Sequence, residues 1–291
     1  MRRLLLKEGI AVLTAAKVAS PEVDAVELLV HALHTTRKDL ILIEDVSEID
    51  AIEYRRLIEQ RAQRVPLQHL TGVAYFRHVE LAVGPGVFVP RPETEVMTGW
   101  VLENAQLIAG EGHGVTIVDL CTGSGAIAKA IAHEAPWAHV HAVELSEDAY
   151  GYAARNLADT GVDLRQGDMA DAFPELSGSV DIVVCNPPYI PFGAWESVET
   201  EARDFDPVLA LYSGYDGLDA MRVLENTAAR LLKPGGLLAA EHADAQGPEA
   251  DPPQLSAMSV FVHAGRWSHI HDHNDLAGRP RFVSATLARA V

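Results

Sequence analysis

Val115-Thr116-Ile117-Val118-Asp119-Leu120-Cys121-Thr122-Gly123-Ser124-Gly125-Ala126-Ile127-Ala128 is an apolar run that breaks into small residues and then into helix-forming ones. A strand that enters a glycine turn and then a helix leaves bare backbone at its carboxyl end, where a ligand can approach closely. The same turn also serves tight packing of helix on sheet, and the full dinucleotide pattern of glycines is absent, so the segment alone leaves both readings open. Its candidate ligand contacts are Asp119, Cys121, Thr122, Gly123, Ser124 and Gly125.

Downstream, the apolar stretch His139 to Val143 ends on Glu144. A carboxylate at the end of the second strand of a doubly wound fold accepts hydrogen bonds from both ribose hydroxyls of an adenosine. A third, shorter stretch, Val162 to Leu164, leads to Gly167-Asp168-Met169. An acceptor at Asp168 suits the exocyclic amine of adenine with Met169 over the ring, and equally suits a helix N-cap.

Strand, turn and helix then repeat. Val180 to Cys185 and Gly236 to Glu241 are further apolar strands, and Ser268 to His273 and Arg281 to Leu287 are two late candidates. The alternation implies a mostly parallel sheet covered by helices on both faces. Asp244 to Gln254, with two prolines and several small or acidic residues, reads as a surface loop.

The chemistry concentrates in Asn186-Pro187-Pro188-Tyr189, directly after Val180 to Cys185. Two consecutive prolines fix the backbone and remove two N–H donors, leaving carbonyls that only accept. Asn186 Oδ1 and the Pro187 carbonyl can each take one N–H of a planar amide or amino nitrogen, with Tyr189 stacking on the planar group. An amide lone pair is delocalised into its carbonyl, so holding both protons lets electron density develop toward an incoming methyl. Alignment is the main catalytic contribution to a one-step displacement at the sulfonium of S-adenosylmethionine, and no strong general base is required.

Upstream, residues to about Arg64 read as a small helical bundle: Leu4 to Val18, then Glu22 to Leu33 opened by Ser20-Pro21, then a helix from near Ser47 that Pro66 stops. Leu70 to Val89 is punctuated by Gly72, Gly84 and Gly86 around an alternating Val79 to Val83 that suits an exposed hairpin strand. The expected organisation is a helical substrate-recognition domain over 1–70, a β-hairpin connector over 71–90 and a catalytic domain over 91–291.

The 291 residues include 41 acidic against 23 basic ones, a formal net charge of -18. Such a surface repels phosphate backbones and disfavours free nucleic acid as the substrate. No segment has the length and apolarity of a membrane span, and Lys7 and Glu8 interrupt the apolar start before a signal-peptide core develops, so the chain reads as a cytoplasmic protein. Two cysteines, Cys121 and Cys185, are too few for a disulfide framework.

With Asp119 to Gly125, Glu144 and Asn186 to Tyr189 in place, the chain resembles the HemK-type release factor glutamine methyltransferases. Val65 to Gly72, Phe76, Val89-Pro90-Arg91-Pro92-Glu93-Thr94-Glu95 and Asp275 to Phe282 carry the likeness over nearly the whole chain. The resemblance implies an N-terminal helical bundle, a hairpin and a Rossmann-like, seven-stranded class I methyltransferase domain. It implies S-adenosylmethionine as methyl donor and, as acceptor, the glutamine of the Gly-Gly-Gln loop of class I peptide-chain release factors. By the same resemblance, Phe76 and Arg91 wall the substrate site. Glu144 stands where the family often has aspartate, and Met169 where some members carry an aromatic residue. The tetrapeptide alone also fits adenine amino-methylation of nucleic acid or glutamine methylation of a ribosomal protein, and a cofactor-binding interaction module is the non-enzymatic rival.

Three other features carry less. His269, His271 and His273 would share one strand face; metal binding is conceivable there, and a solvated face in a methyl transfer that needs no metal is the stronger reading. Cys121 and Cys185 would end neighbouring strands as two small buried hydrophobes, with an oxidative link as the sharper hypothesis. Arg55, Arg56, Arg61 and Arg64 read as a solvated helix face, with contact to an acidic partner as the alternative.

Overall fold

The computed structural model describes residues 1–110 and 114–289. The chain divides into two compact units, one formed by residues 1–73, 83–85 and 199–205, the other by the remainder.

The first unit contains α1 (Arg2–Ala15), α2 (Pro21–Ala32), the short α3 (Arg37–Leu40), α4 (Glu48–Ala62) and the short α5 (Leu67–Thr71). Leu5, Leu13, Leu28, Leu29, Tyr54, Leu57 and Ile58 recur at helical spacing and form its core. Helix α1 stops before Val18 because Lys17 takes a left-handed conformation (φ 56°), which turns the chain and buries Val18. Ser47 Oγ accepts from the Asp50 amide and opens α4, whereas Ser20, at the corresponding place before α2, makes no side-chain cap. Gly9 on α1 is required sterically: a Cβ there would collide with the Tyr54 phenol.

The arginines of α4 do not form one solvated face. Arg61 is buried, with Nε 2.7 Å from Asp24 Oδ2 and Nη2 3.0 Å from Glu201 Oε1, and Arg64 Nε lies 2.7 Å from the same Glu201 oxygen. These two arginines meet two carboxylates in a buried network, where an unpaired charge would be costly. Arg55 and Arg56 remain exposed.

The second unit opens with a hairpin, β1 (Val73–Phe76) and β2 (Val79–Ala82). Strand β2 is not simply exposed: Val79 and Leu81 are buried and Glu80 faces out. Its backbone is bound by Asn156, which exchanges hydrogen bonds with Ala82 at 2.8 and 2.9 Å, and by Lys129, which donates to the Glu80 carbonyl. Side chains thereby satisfy part of its free edge.

After α6 (Thr94–Ala109) come β3 (Thr116–Leu120), α7 (Ala126–Glu134), β4 (His139–Glu144), α8 (Glu147–Leu157), β5 (Asp163–Gln166) and β6 (Val180–Cys185). Helix Asp219–Leu231, β7 (Leu232–Glu241), helix Ala257–Ala264, β8 (Trp267–Asn274) and β9 (Pro280–Leu287) complete the unit. The seven-stranded sheet has the order β5-β4-β3-β6-β7-β9-β8. β9 is antiparallel to both of its neighbours and the other pairs are parallel. This is the Rossmann-like sheet expected from the alternation of strand and helix.

Chain order reverses between β3 and β6, so a crevice opens beyond their carboxyl ends, the usual ligand position in a doubly wound sheet. Leu120 and Cys185 are register partners there, which places the glycine loop and the tetrapeptide side by side.

Strand β7 starts at Leu232 rather than Gly236, with a register shift against β6 between Val180 and Ile182. In β8 a bulge between Ser268 and His271, with His269 at φ 49°, breaks the alternation. His269 and His271 are exposed, whereas the His273 ring stacks on Phe282 at 4.4 Å, and its Nε2 lies 2.7 Å from Ser284 Oγ. The three imidazoles therefore do not share one solvated face, and among the described residues no His, Cys, Asp and Glu grouping could hold a metal ion. No helix among them is long and apolar enough to cross a membrane.

Candidate active site

At the end of β3, Asp119 is fully buried. Its Oδ2 accepts from Thr122 Oγ1 at 2.6 Å and from the Ala128 amide at 3.2 Å, so the carboxylate shapes both the turn and the first turn of α7. Burial pushes its pKa up to about 7 against the lowering effect of these two bonds. Asp119 Oδ1 and the nearby Ser124 Oγ are buried without a hydrogen-bond partner.

The loop itself runs through three left-handed residues: Cys121 (φ 61°), Gly123 (φ 58°) and Gly125 (φ 83°). A Cβ on Gly125 would press on Leu157 at 3.1 Å, whereas the space beside Gly123 is open. The Gly123 amide donates to Glu144 Oε2 and the Ser146 amide to Oε1, each at 2.8 Å. Glu144 is thus fixed at the end of β4 by backbone donors, and each oxygen keeps a further lone pair for a ligand. Burial raises its pKa and the backbone hydrogen bonds oppose the rise.

Asp168 is exposed, and its Oδ1 accepts from the Ala170 amide at 2.9 Å, so it does cap the short 3-10 turn Met169–Asp171. Met169 packs against the core, its Sδ 3.6 Å from Cys121 Sγ. Cys121 and Cys185 are both free; Cys185 is fully buried but Cys121 is only half-buried, so the pair is not two core hydrophobes. Burial and the adjacent Cys121 thiol raise the Cys185 pKa well above its ordinary value.

Across the crevice, Asn186 is half-buried and Pro187 buried. Asn186 Nδ2 donates to Thr94 Oγ1 at the start of α6, 3.3 Å away. That bond leaves Oδ1 as the free acceptor of the amide. The Tyr189 hydroxyl donates to Glu241 Oε1 at 3.1 Å, and burial drives its pKa up. Tyr189 is therefore anchored at its phenolic end. Its carbonyl accepts from Gln246 Nε2 at 3.1 Å, and Gln246 is buried, so the segment from Asp244 is not wholly a surface loop.

Glu241, at the end of β7, is 1% exposed. Burial raises its pKa, opposed by the nearby Thr94 hydroxyl, the Arg281 guanidinium and the hydrogen-bonded Tyr189 hydroxyl. Its Oε2 is buried without a hydrogen-bond partner. Arg91 Nη2 donates to Asp206 Oδ2 at 2.8 Å and its guanidinium lies over the Phe88 ring at 5.2 Å. Asp206 is buried, which pushes its pKa up to about 6 despite Arg91. Phe76 lies in the core of the hairpin at 1% exposure, which leaves its ring almost no surface for direct contact with a substrate.

The structure thus brings Asp119, Thr122, Gly123, Ser124, Gly125 and Glu144 to one side of the crevice and Asn186 to Tyr189 to the other. Sequence reasoning missed Thr94 as a partner of Asn186, together with Asp206, Glu241 and Gln246. Thr94 and Gln246 lie inside stretches singled out for other reasons, and Glu241 was visible only as the polar end of an apolar strand.

Sheet order, crevice and paired acceptor groups define a Rossmann-like methyltransferase. The chain matches the PrmC N-terminal domain family over residues 5–72 and a methyltransferase domain family over 117–202. It is 51% identical to a release factor glutamine methyltransferase of Streptomyces coelicolor, covering 95% of this chain and 94% of that one. A protein of the same description from Mycolicibacterium smegmatis is 42% identical over 99% of both chains. The chain belongs to the release factor glutamine methyltransferase family. It is also 44% identical, over 73% of its length and 70% of the relative's, to a 4-amino-L-phenylalanine/4-methylamino-L-phenylalanine methyltransferase of Streptomyces pristinaespiralis.

Proposed function

We propose that the chain transfers a methyl group from S-adenosylmethionine to the side-chain amide nitrogen of the glutamine in the Gly-Gly-Gln loop of class I peptide-chain release factors. The observation that carries the reading is the acceptor geometry at Asn186, whose Nδ2 is committed to Thr94 and whose Oδ1 is free beside Pro187. When bound, S-adenosylmethionine supplies an activated methyl on a sulfonium.

The residues of the loop fit that donor. Asp119 Oδ1 and Ser124 Oγ are buried polar atoms in want of a partner, and Gly123 leaves open space where a side chain would stand. Glu144 is held ready for the ribose hydroxyls, while Asp168 Oδ2 and Met169 remain for the adenine. Asn186 Oδ1 and the Pro187 carbonyl each take one N–H of the acceptor amide. Holding both protons in the amide plane pins the nitrogen in one orientation, which lowers the entropic part of the barrier. Tyr189, pinned through its hydroxyl, offers a ring face to the planar group. The proton released from the methylated nitrogen passes to one of the acceptors or to water. Arg91, tied to Asp206, lines the approach.

The relative described as a 4-amino-L-phenylalanine/4-methylamino-L-phenylalanine methyltransferase makes a small-molecule amine the second reading. The match of residues 5–72 to the PrmC N-terminal family, and coverage of almost the whole chain by the release factor relatives, favour the protein amide. The same reading places the protein in the cytoplasm with its substrate, and the net charge of -18 disfavours direct action on nucleic acid. Labelled methyl donor offered with a release factor, its Gly-Gly-Ala variant, duplex DNA or 4-aminophenylalanine tests it. Label should appear on the intact factor alone; label that persists on the Gly-Gly-Ala variant, or appears only on DNA or the free amine, overturns the proposal.

A further inference from the structure

Past the tetrapeptide, the chain is held by residues that none of the sequence motifs contains. The Ile190 amide donates to the Leu211 carbonyl at 2.8 Å, and the Ile190 carbonyl accepts from the Ser213 amide at 2.9 Å. The Phe192 amide donates to the Gly214 carbonyl at 2.9 Å, so the segment after Tyr189 is laced by backbone bonds to residues 211–214. The Tyr189 carbonyl, at the head of this segment, goes to a side chain instead. Gln246 Nε2 donates to it at 3.1 Å.

Gln246 ends the short 3-10 turn Asp244–Gln246 that follows β7, and it is 4% exposed. Both ends of its amide are engaged. Nε2 also donates to the Asp216 carbonyl at 3.3 Å, and Oε1 accepts from the Ala243 amide at 3.1 Å. Two backbone carbonyls only accept and a backbone N–H only donates, so glutamine fits this place and an ionised glutamate, which has no donor, does not. Gly217 closes the arrangement. It is buried at φ 77°, and a Cβ there would collide with the Tyr189 carbonyl oxygen and stand 2.7 Å from Gln246 Nε2. Only a residue without a side chain lets the turn pass this close.

We propose that Gln246 is a positioning residue for the transfer: with Gly217 it fixes the peptide plane after Tyr189 and thereby keeps the Pro187 carbonyl aimed at the acceptor nitrogen. The inference rests on the methyl transfer proposed above for Asn186 to Tyr189. The tetrapeptide leaves β6 at Cys185, and its prolines fix φ at 187 and 188. Gln246 at the Tyr189 carbonyl and Leu211 at the Ile190 amide hold the two sides of the next peptide plane. The loop is thus held at both ends with few free rotations between them. A carbonyl held in this way accepts a substrate N–H without first being reorganised. Removing Gln246 leaves two buried backbone carbonyls short of a donor and releases one end of the loop.

The test uses the full chain with saturating S-adenosylmethionine and varied release factor, at a temperature where circular dichroism shows each variant folded. Gln246→Met keeps the length and removes the donor. It should lower kcat roughly tenfold, within the hundredfold that a misplacement of about 1 Å costs, while donor affinity measured by calorimetry changes less than about threefold. Gln246→Glu should gain activity relative to wild type as the pH falls, because its protonated carboxyl again donates one hydrogen bond, and Gln246→Met should show no such recovery. Gly217→Ala should cause a loss like that of Gln246→Met, and the pair should be far from additive because both release one peptide plane. Wild-type kcat in folded Gln246→Met, donor binding weakened as much as kcat, a pH response in Gln246→Glu as flat as that of Gln246→Met, or simple additivity overturns the proposal. If Gln246→Met does not fold, Gly217→Ala decides by the same two readings, wild-type kcat being the contrary result. Failure of the wild type to methylate a release factor would count against the proposed function itself, an outcome separate from any of these.

Discussion

The two sides of the crevice are made of different material. Beyond β3 and β4 the surface is largely backbone: a loop with three left-handed residues, one of which, Gly123, joins Ser146 in fixing one carboxylate, Glu144, through its amide. Beyond β6 and β7 it is a chain of side chains, with Asn186 resting on Thr94 and Tyr189 resting on Glu241. Backbone geometry is held by φ and ψ and by packing, and it tolerates changes in distant side chains. A side-chain network depends on the protonation and identity of every member. The cofactor half should therefore respond to local backbone changes, and the acceptor half to polar substitutions far away in sequence.

Asn186→Ala should give the largest effect, a kcat lower by roughly a thousandfold, as when a group that holds the reacting atom is removed. Its cofactor affinity, measured by calorimetry, should stay close to wild type; an equal collapse of cofactor binding would erase the distinction between the two halves. Glu144→Ala is the mirror case. Losing a carboxylate that receives two ligand hydroxyls should weaken cofactor binding by roughly ten- to a hundredfold. Strong binding of the donor by this variant would mean that Glu144 only organises the loop.

Gly125→Ala sharpens the backbone side. At φ 83° with Leu157 3.1 Å from the added Cβ, it should cost about 1–3 kcal/mol of stability and lower the melting temperature. An unchanged Tm would show that the loop relaxes without strain.

The smallest effect concerns pH. Burial pushes Asp119 up to about 7 in the folded chain, above its ordinary value of 3.8, so the folded state binds more protons than the unfolded one between those limits. Stability carried by this group is present at low pH and declines as pH rises from about 4 to about 7. Asp119→Asn should flatten the fall in Tm across that window, and a slope identical to wild type would contradict the buried, proton-retaining carboxyl.

The same contrast explains what could be read from sequence. The β3 strand, its glycine loop and α7 are contiguous, so local pattern revealed them, and Glu144 follows from the end of the next apolar run. The tetrapeptide was equally legible because its prolines and amide carry their chemistry in four residues. Its supports were not: Thr94 lies 92 positions from Asn186, Glu241 lies 52 from Tyr189 and Asp206 lies 115 from Arg91. Only the folded chain brings them together. Arg61 was misread for the same reason, its partner Glu201 being 140 positions away. The histidine stripe failed because a bulge, which period-two reasoning does not anticipate, re-aims the strand.

The most direct test of the central claim is site-resolved mass spectrometry of a class I release factor after reaction with the full chain and S-adenosylmethionine. The account predicts one added methyl, on the side-chain nitrogen of the Gly-Gly-Gln glutamine, and its absence when Asn186→Ala replaces the wild type. A methyl on any other residue, or an undiminished yield from Asn186→Ala, would contradict it.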